Sequence, residues 1–305
     1  TLNGLRHNVT ARYYVLAAGG LENARILLLS NDVVPAGLGN QHDVVGRYFM
    51  EHPHLSGFAE LVFADLQRLP PIMRQRVMAE GRYANAAFNP TPKFLRENRL
   101  LNASFMMGVA GKYMAGRSPD ATNTKDRNKY RMLMAARRFL VDDSHFPTDE
   151  QSGNVGVWLG IGSSCEQVPN PDSRVSLSEQ RDALGLPRIK LDWRLTEQDR
   201  LSFYTHLHSL ALEFGALGIG RLQMNVANQH DWPQPISGGS HHMGTTRMDE
   251  NPLRGVTDRH CKVHGIDNLY LAGSSVFTTS GVSNPTLTIV ALTLRLADHL
   301  KDRLR

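Results

Sequence analysis

The stretch from Ser240 to Ala297 constrains the fold more than any other. It opens on a polar loop, Ser240-His-His-Met-Gly-Thr-Thr-Arg-Met248, and runs through an apolar strand over Asn268–Ala272 into a Gly273-Ser274 turn. It closes in a helix whose first residues are Asn284 and Pro285. Asn before Pro is start chemistry for a helix, with Asn284 expected at the N-cap and Pro285 at the first helical position. The helix is expected over Pro285–Asp302. It is apolar nearly all round at Leu287, Ile289, Val290, Ala291, Leu292 and Leu294, and amphipathic after Arg295. This pattern predicts a buried first half and an exposed end. A buried helix start offers N–H groups and a partial positive charge to an anion.

At the other end, a strand expected over Ala11–Ala17 runs into Ala18-Gly19-Gly20 and a helix over Leu21–Ser30. The glycines permit a tight strand-to-helix turn and close approach of a backbone or ligand. Strand, turn and helix in this order suit a doubly wound α/β sheet, whose ligands sit at the carboxyl ends of strands. An ordinary structural turn is the alternative. Residue 1 is Thr, and the strand after it reads as one already deep in a sheet. The expectation is therefore a preceding segment, or a companion chain, that completes the sheet.

The middle reads differently. Strands are expected at 54–63, 103–110 and 155–161, and shorter ones at 174–178, 187–192 and 220–226. Few are separated by helices, which favours an antiparallel sheet. Ser118–Lys129 reads as an exposed loop and Tyr130–Val141 as a helix. Pro169-Asn170-Pro171-Asp172 is turn chemistry. Thr196 is expected to cap a helix over 197–214, with Gly215 and Gly218 at its end. Gly160-Ile-Gly162 lacks the third glycine of a dinucleotide fingerprint, and no helix pattern follows it.

The 305 residues suffice for two ordinary domains, and the net charge of +5 is scattered rather than gathered into a nucleic-acid-binding tail. Cys165 and Cys261 give neither a disulfide framework nor a zinc spacing. His52 and His54 flank Pro53 without a clear third ligand. His206 and His208 are two apart on a helix and so face different ways, and no metal site is expected. No apolar run approaches the roughly 18 residues of a membrane span. The compartment, cytoplasmic or periplasmic, and homo-oligomerisation are left open.

Four separated motifs resemble those of the glucose-methanol-choline (GMC) oxidoreductases, flavoenzymes that oxidise alcohols and sugars. They are Val15–Leu28, Val45-Gly-Arg-Tyr-Phe-Met-Glu-His-Pro53, Asn170-Pro-Asp-Ser-Arg-Val-Ser-Leu177, and the block from His241 to His299. They cover nearly the whole chain in the family's order. The resemblance implies an α/β fold: part of a Rossmann-like FAD-binding domain, lacking its N-terminal βαβ unit with the glycine fingerprint, plus an α+β substrate domain with a mainly antiparallel sheet. Residues 1–50 and 236–305 would belong to the FAD domain and 51–235 to the substrate domain.

The resemblance also implies the site. His241, in His241-His-Met-Gly244, matches the family's active-site histidine and would take the hydroxyl proton, since imidazole titrates near neutral pH. A loop histidine held for structure is the alternative. His242 would be structural or lie behind it. Asn284 matches the second member of the catalytic pair and can bond the substrate oxygen but not act as a base. Gly273 and Ser274 would lie against the ribityl-pyrophosphate part of FAD, Pro285 and Thr286 at the flavin pyrimidine edge, and Ala18 and Gly19 near the adenosine. The implied reaction oxidises a sugar or glycoside hydroxyl, at ring C2 or C3, with an electron acceptor the sequence does not name. A flavin-dependent lyase and a non-catalytic subunit are the alternatives.

Overall fold

The computed structural model describes residues 4–5, 7–63, 72, 77–84, 86–113, 156–218, 220–224, 232 and 236–305. The loop expected at Ser118–Lys129 and the helix at Tyr130–Val141 lie outside these. The chain divides into two compact units. One comprises Thr1–Pro53, Glu166–Asp199 and Gly238–Arg305; the other comprises His54–Cys165 and Arg200–Ser237. This departs from a continuous unit over 51–235, because residues 166–199 pack with the chain ends.

In the first unit, β1 (Tyr14–Leu16) pairs in parallel with a late strand, Leu269–Leu271, in the register Tyr14 to Leu269 and Leu16 to Leu271. β1 is shorter than the expected Ala11–Ala17. Helix α1 (Glu22–Leu29) follows and buries Ala24 and Leu27. Asn23 on α1, fully buried, ties the two strand ends together. Its Oδ1 accepts from the Ala18 N–H at 2.8 Å, and its Nδ2 donates to the Ala272 carbonyl at 3.0 Å and Ser275 Oγ at 2.8 Å. A buried amide satisfied at both ends fixes the strand-to-helix turn firmly.

The second of the four motifs meets the third in this unit. Val175 N donates to the Gly46 carbonyl at 2.8 Å, Phe49 N to the Ser173 carbonyl at 2.8 Å, and Ser173 Oγ back to the Phe49 carbonyl at 2.7 Å. Arg174 beside Asp43 holds that carboxyl below its usual range. The core gathers Val45, Phe49, Met50, Val175, Met243, Val256, Tyr270 and Leu271.

The terminal helix runs Thr286–Leu304, with Pro285 rather than Asn284 at its N-cap and no side-chain capping bond. Its burial reverses the expectation. Ile289, Leu292, Leu296 and Leu300 face the core at helical spacing, while Leu287, Val290 and Leu294 are 81 %, 50 % and 63 % exposed. The sequence counts apolar residues on all sides, but one face of this helix finds core within its own unit.

In the second unit, β2 (His54–Phe63) belongs to a six-stranded antiparallel sheet. The sheet also holds β5 (Ala87–Phe88), β6 (Ala103–Tyr113), β7 (Gly156–Cys165), β10 (Gly220–Met224) and β11 (Ile236–Ser237). β3 (Val77–Ala79) and β4 (Arg82–Ala84) form a separate hairpin, and α2 spans Pro92–Asn98. None of β3, β4, β5, β11 or α2 is apparent in the sequence pattern. β8 (Arg174–Arg181) and β9 (Pro187–Asp192) form a hairpin in the first unit; the strand Leu269–Leu271 is β12.

Helix α3 runs Glu197–Ala216. Thr196 and Asp199 cap its start reciprocally: Asp199 N donates to Thr196 Oγ1 at 3.4 Å, and Thr196 N to Asp199 Oδ2 at 2.5 Å. Gly218, at φ +62°, turns the chain out after the helix. In the second unit α3 lays Phe203, Leu207 and Phe214 against Leu55, Phe58 and Phe105. His206 is buried and His208 exposed, on different faces as their spacing requires.

Candidate active site

An isolated antiparallel bridge builds the site. Met50 N donates to the Met243 carbonyl and Met243 N to the Met50 carbonyl, both at 3.0 Å. One residue on from Met50 and one before Met243 lie Glu51 and His242, whose Oε1 and Nε2 are 3.3 Å apart. One step further, His52 meets His241, with Nδ1 to Nδ1 at 3.0 Å and ring centroids 4.9 Å apart. Opposed residues of an antiparallel pair share a face, so this register alone brings the two imidazoles together.

Gly244 makes the bridge possible. Its φ is +82°, and a Cβ there would lie 2.3 Å from the Tyr48 carbonyl oxygen. The three-residue step from His241 to Gly244 therefore has a steric reason: the loop must turn against the Tyr48 backbone directly after the bridge.

Glu51 organises the loop before His241. Its carboxylate is almost wholly buried and accepts from His52 N at 3.1 Å, Gly239 N at 3.1 Å and His241 N at 3.0 Å. Charge-assisted bonds of this kind are about twice as strong as neutral ones. His242 turns away from His241, its ring 5.9 Å from that of Phe49. His52 is fully buried, and its Nε2 lies 3.1 Å from the Ser280 carbonyl oxygen. Gln167 joins the same network. Its backbone N–H donates to Ser280 Oγ at 2.9 Å, and its Oε1 accepts from Glu51 N at 3.0 Å and Trp193 Nε1 at 2.9 Å.

The two glycine turns anticipated as cofactor contacts lie together at the carboxyl ends of β1 and β12. Gly19 has φ +97° and Gly273 φ +111°, and a Cβ on Gly273 would come 4.0 Å from Gly19 Cα. A Cβ on Gly19 would meet nothing within 4 Å, so the turn borders open space. Ala18 is exposed beside it, and Ser274 is buried, donating to the His242 carbonyl at 2.7 Å. The Ser274 bond ties the β12 turn directly to the histidine loop.

Asn284 is exposed ahead of α4 (Thr286–Leu304), four residues beyond the buried Ser280. The first bond of α4 runs from Ile289 N to the Pro285 carbonyl at 2.9 Å. The N–H groups of Thr286, Leu287 and Thr288 precede it and have no intrahelical acceptor.

The sequence pointed to His241 but not to Glu51, His52, Gln167 or Ser280 as its supports. The signal that existed was Glu51-His52-Pro53 at the end of a matched motif. A buried acid beside a buried histidine is unusual unless both are hydrogen-bonded.

A half-sheet of parallel strands with glycine turns at its carboxyl ends, carried with a separate antiparallel sheet and a buried histidine network, defines a class: a dinucleotide-type α/β domain joined to an α+β domain. Comparison names the family. Residues 169–293 match the family model of the GMC oxidoreductases, the family whose motifs the chain resembles. It is 26 % identical to the fructose dehydrogenase large subunit of Gluconobacter japonicus, over 98 % of this chain and 49 % of that protein. It is 27 % identical to the C-glycoside 3-oxidase of Microbacterium trichothecenolyticum, over 99 % of this chain and 49 % of that one. An FAD-dependent oxidoreductase from Chaetomium thermophilum shares the fold, at TM-score 0.53 and 17 % identity, over 97 % of this chain and 56 % of that one. The chain thus spans about half the length of the curated relatives it matches.

Proposed function

We propose that this chain is the catalytic C-terminal part of an FAD-dependent oxidoreductase that oxidises a hydroxyl of a sugar or glycoside, at ring C2 or C3, to a ketone. The observation that carries the reading is the placement of His241: its backbone is held by a buried carboxylate and its Nδ1 by a buried histidine. An imidazole held so firmly can take a hydroxyl proton with little reorganisation.

The residues present fit FAD. The open space beside Gly19 and the facing Gly273 leave room for a cofactor at the strand ends, where a side chain would intrude. Ala18, Gly19, Gly273 and Ser274 would hold it, and the unpaired N–H groups at the start of α4, beside Pro285 and Thr286, would face its anionic edge. When bound, FAD supplies the hydride acceptor. His241 takes the hydroxyl proton, and Asn284 donates a side-chain hydrogen bond to the substrate oxygen.

The names of the relatives, a fructose dehydrogenase and a C-glycoside oxidase, favour a sugar or glycoside over a simple alcohol. An N-terminal FAD-binding segment or companion chain completes the sheet. Support comes from β1, paired with β12, and from the exposed Tyr14, Val15 and Ile26 beside an apolar recess of about 380 Å³. Leu287, Val290 and Leu294 on α4 are exposed as well.

The test is to prepare the protein with its complete FAD-binding segment, verify bound flavin by its visible spectrum, and add hexoses, glycosides and simple alcohols anaerobically. Bleaching by sugars ahead of simple alcohols is expected. Bound flavin that no hydroxyl compound bleaches would overturn the reading in favour of a lyase or a non-catalytic subunit.

A further inference from the structure

We propose that His52 is a positioning residue that sets the tautomer of His241, leaving the lone pair on His241 Nε2, the atom that receives the substrate's hydroxyl proton. The proposal rests on the reading of His241 as the base.

The argument begins at Ser280. Its carbonyl oxygen can only accept, and it stands 3.1 Å from His52 Nε2, so that nitrogen carries a hydrogen. His52 has no exposed surface, and burial penalises the charged ring. A neutral imidazole has one N–H, already directed at Ser280, so His52 Nδ1 is an acceptor. Across 3.0 Å it faces His241 Nδ1, which must therefore donate. A neutral His241 protonated at Nδ1 keeps its lone pair on Nε2.

Each link is held in place by something else. The Met50–Met243 bridge fixes the distance between the two backbones. Glu51 holds the N–H groups of both His52 and His241. Ser280 is fixed by the bond from Gln167 N to its hydroxyl at 2.9 Å. The chain from Ser280 through His52 to His241 has the logic of a carboxylate-histidine pair in which the outer group sets the inner ring's tautomer. Here a backbone carbonyl and a neutral imidazole perform that task without a charge.

The test uses the full-length flavoprotein labelled with ¹⁵N-histidine. Side-chain nitrogen shifts should show His52 protonated at Nε2 and His241 at Nδ1. His52→Asn offers an amide oxygen where Nδ1 stood, so it should keep the His241 tautomer and a flavin-reduction rate within about tenfold of the parent. His52→Leu removes the acceptor. It should mix the His241 tautomers and lower the limiting reduction rate by about 10²- to 10⁴-fold, with the half-saturating substrate concentration little changed.

His241 protonated at Nε2 in the parent protein, or a His52→Leu protein with unaltered tautomer and rate, would overturn the proposal. Should the Leu variant fail to fold, the parent spectrum and the Asn variant still decide. Undiminished flavin reduction in His241→Ala would instead overturn the reading of His241 as base, and this proposal with it, whatever the tautomers.

Discussion

Replacing Glu51 tests the site's architecture without reference to chemistry. Its carboxylate accepts three backbone N–H bonds, from His52, Gly239 and His241, at 3.0–3.1 Å. In Glu51→Ala these donors lose their acceptor in a site where Glu51 is almost wholly buried. Each orphaned donor costs about 1–3 kcal/mol. The three are neighbours and not additive, so the cost of losing the network is roughly 3–5 kcal/mol.

Glu51→Gln can turn its amide oxygen toward the same three donors, giving up the charge but not the acceptor, for a local loss of about 1–2 kcal/mol. Amide hydrogen exchange at Gly239 and His241 reads this directly, because exchange tracks local opening. At 1.4 kcal/mol per tenfold, the Ala variant should exchange about 10²- to 4 × 10³-fold faster and the Gln variant roughly 5- to 30-fold faster. Unchanged exchange in Glu51→Ala, or equal acceleration in both variants, would refute the claim that a charged acceptor holds this loop.

Three further outcomes follow from the same geometry. His206, buried against the Leu101 carbonyl, is held below its ordinary range by burial. A depressed folded-state value means that the unfolded chain protonates first. Stability is therefore lost as pH falls below about 6.5, and His206→Gln, which keeps a donor for Leu101, should flatten the fall in melting temperature between about pH 7.5 and 5. Asn284 makes no capping bond, so Asn284→Ala should spare thermal stability, unlike a true N-cap loss of about 0.5–2 kcal/mol, while slowing flavin reduction. Gly273→Val would place a branched side chain at φ +111° against the Gly19 turn, and should yield protein depleted of bound flavin, measured as the flavin-to-protein absorbance ratio.

Much of the fold is legible in the residues, because it rests on local chemistry. The apolar run of β2, the cap of Thr196 on α3 and the glycine turn after β1 each carry their own signal. Strands of two or three residues, such as β5 and β11, are too short to show a period. The burial of α4 misled for a different reason. Periodicity reports which residues can be buried, and core contacts within the unit decide which are, so Leu287 is open while Leu296 is not.

The site was half legible. His241 is singled out by the resemblance of His241-His-Met-Gly244 to the family's motif, whereas His52 lies in a matched motif that assigns it no role. The link between them is a single backbone bridge between residues far apart in sequence. Nothing in one sequence records which two residues such a bridge will join.

The central claim is that the imidazole of His241 takes the substrate proton. The direct measurement is anaerobic flavin reduction by a sugar substrate in full-length His241→Ala protein whose FAD content matches the parent. The account predicts that bleaching is lost, or slowed by about 10²- to 10⁴-fold, with flavin still bound. Bleaching at the parent rate would contradict it.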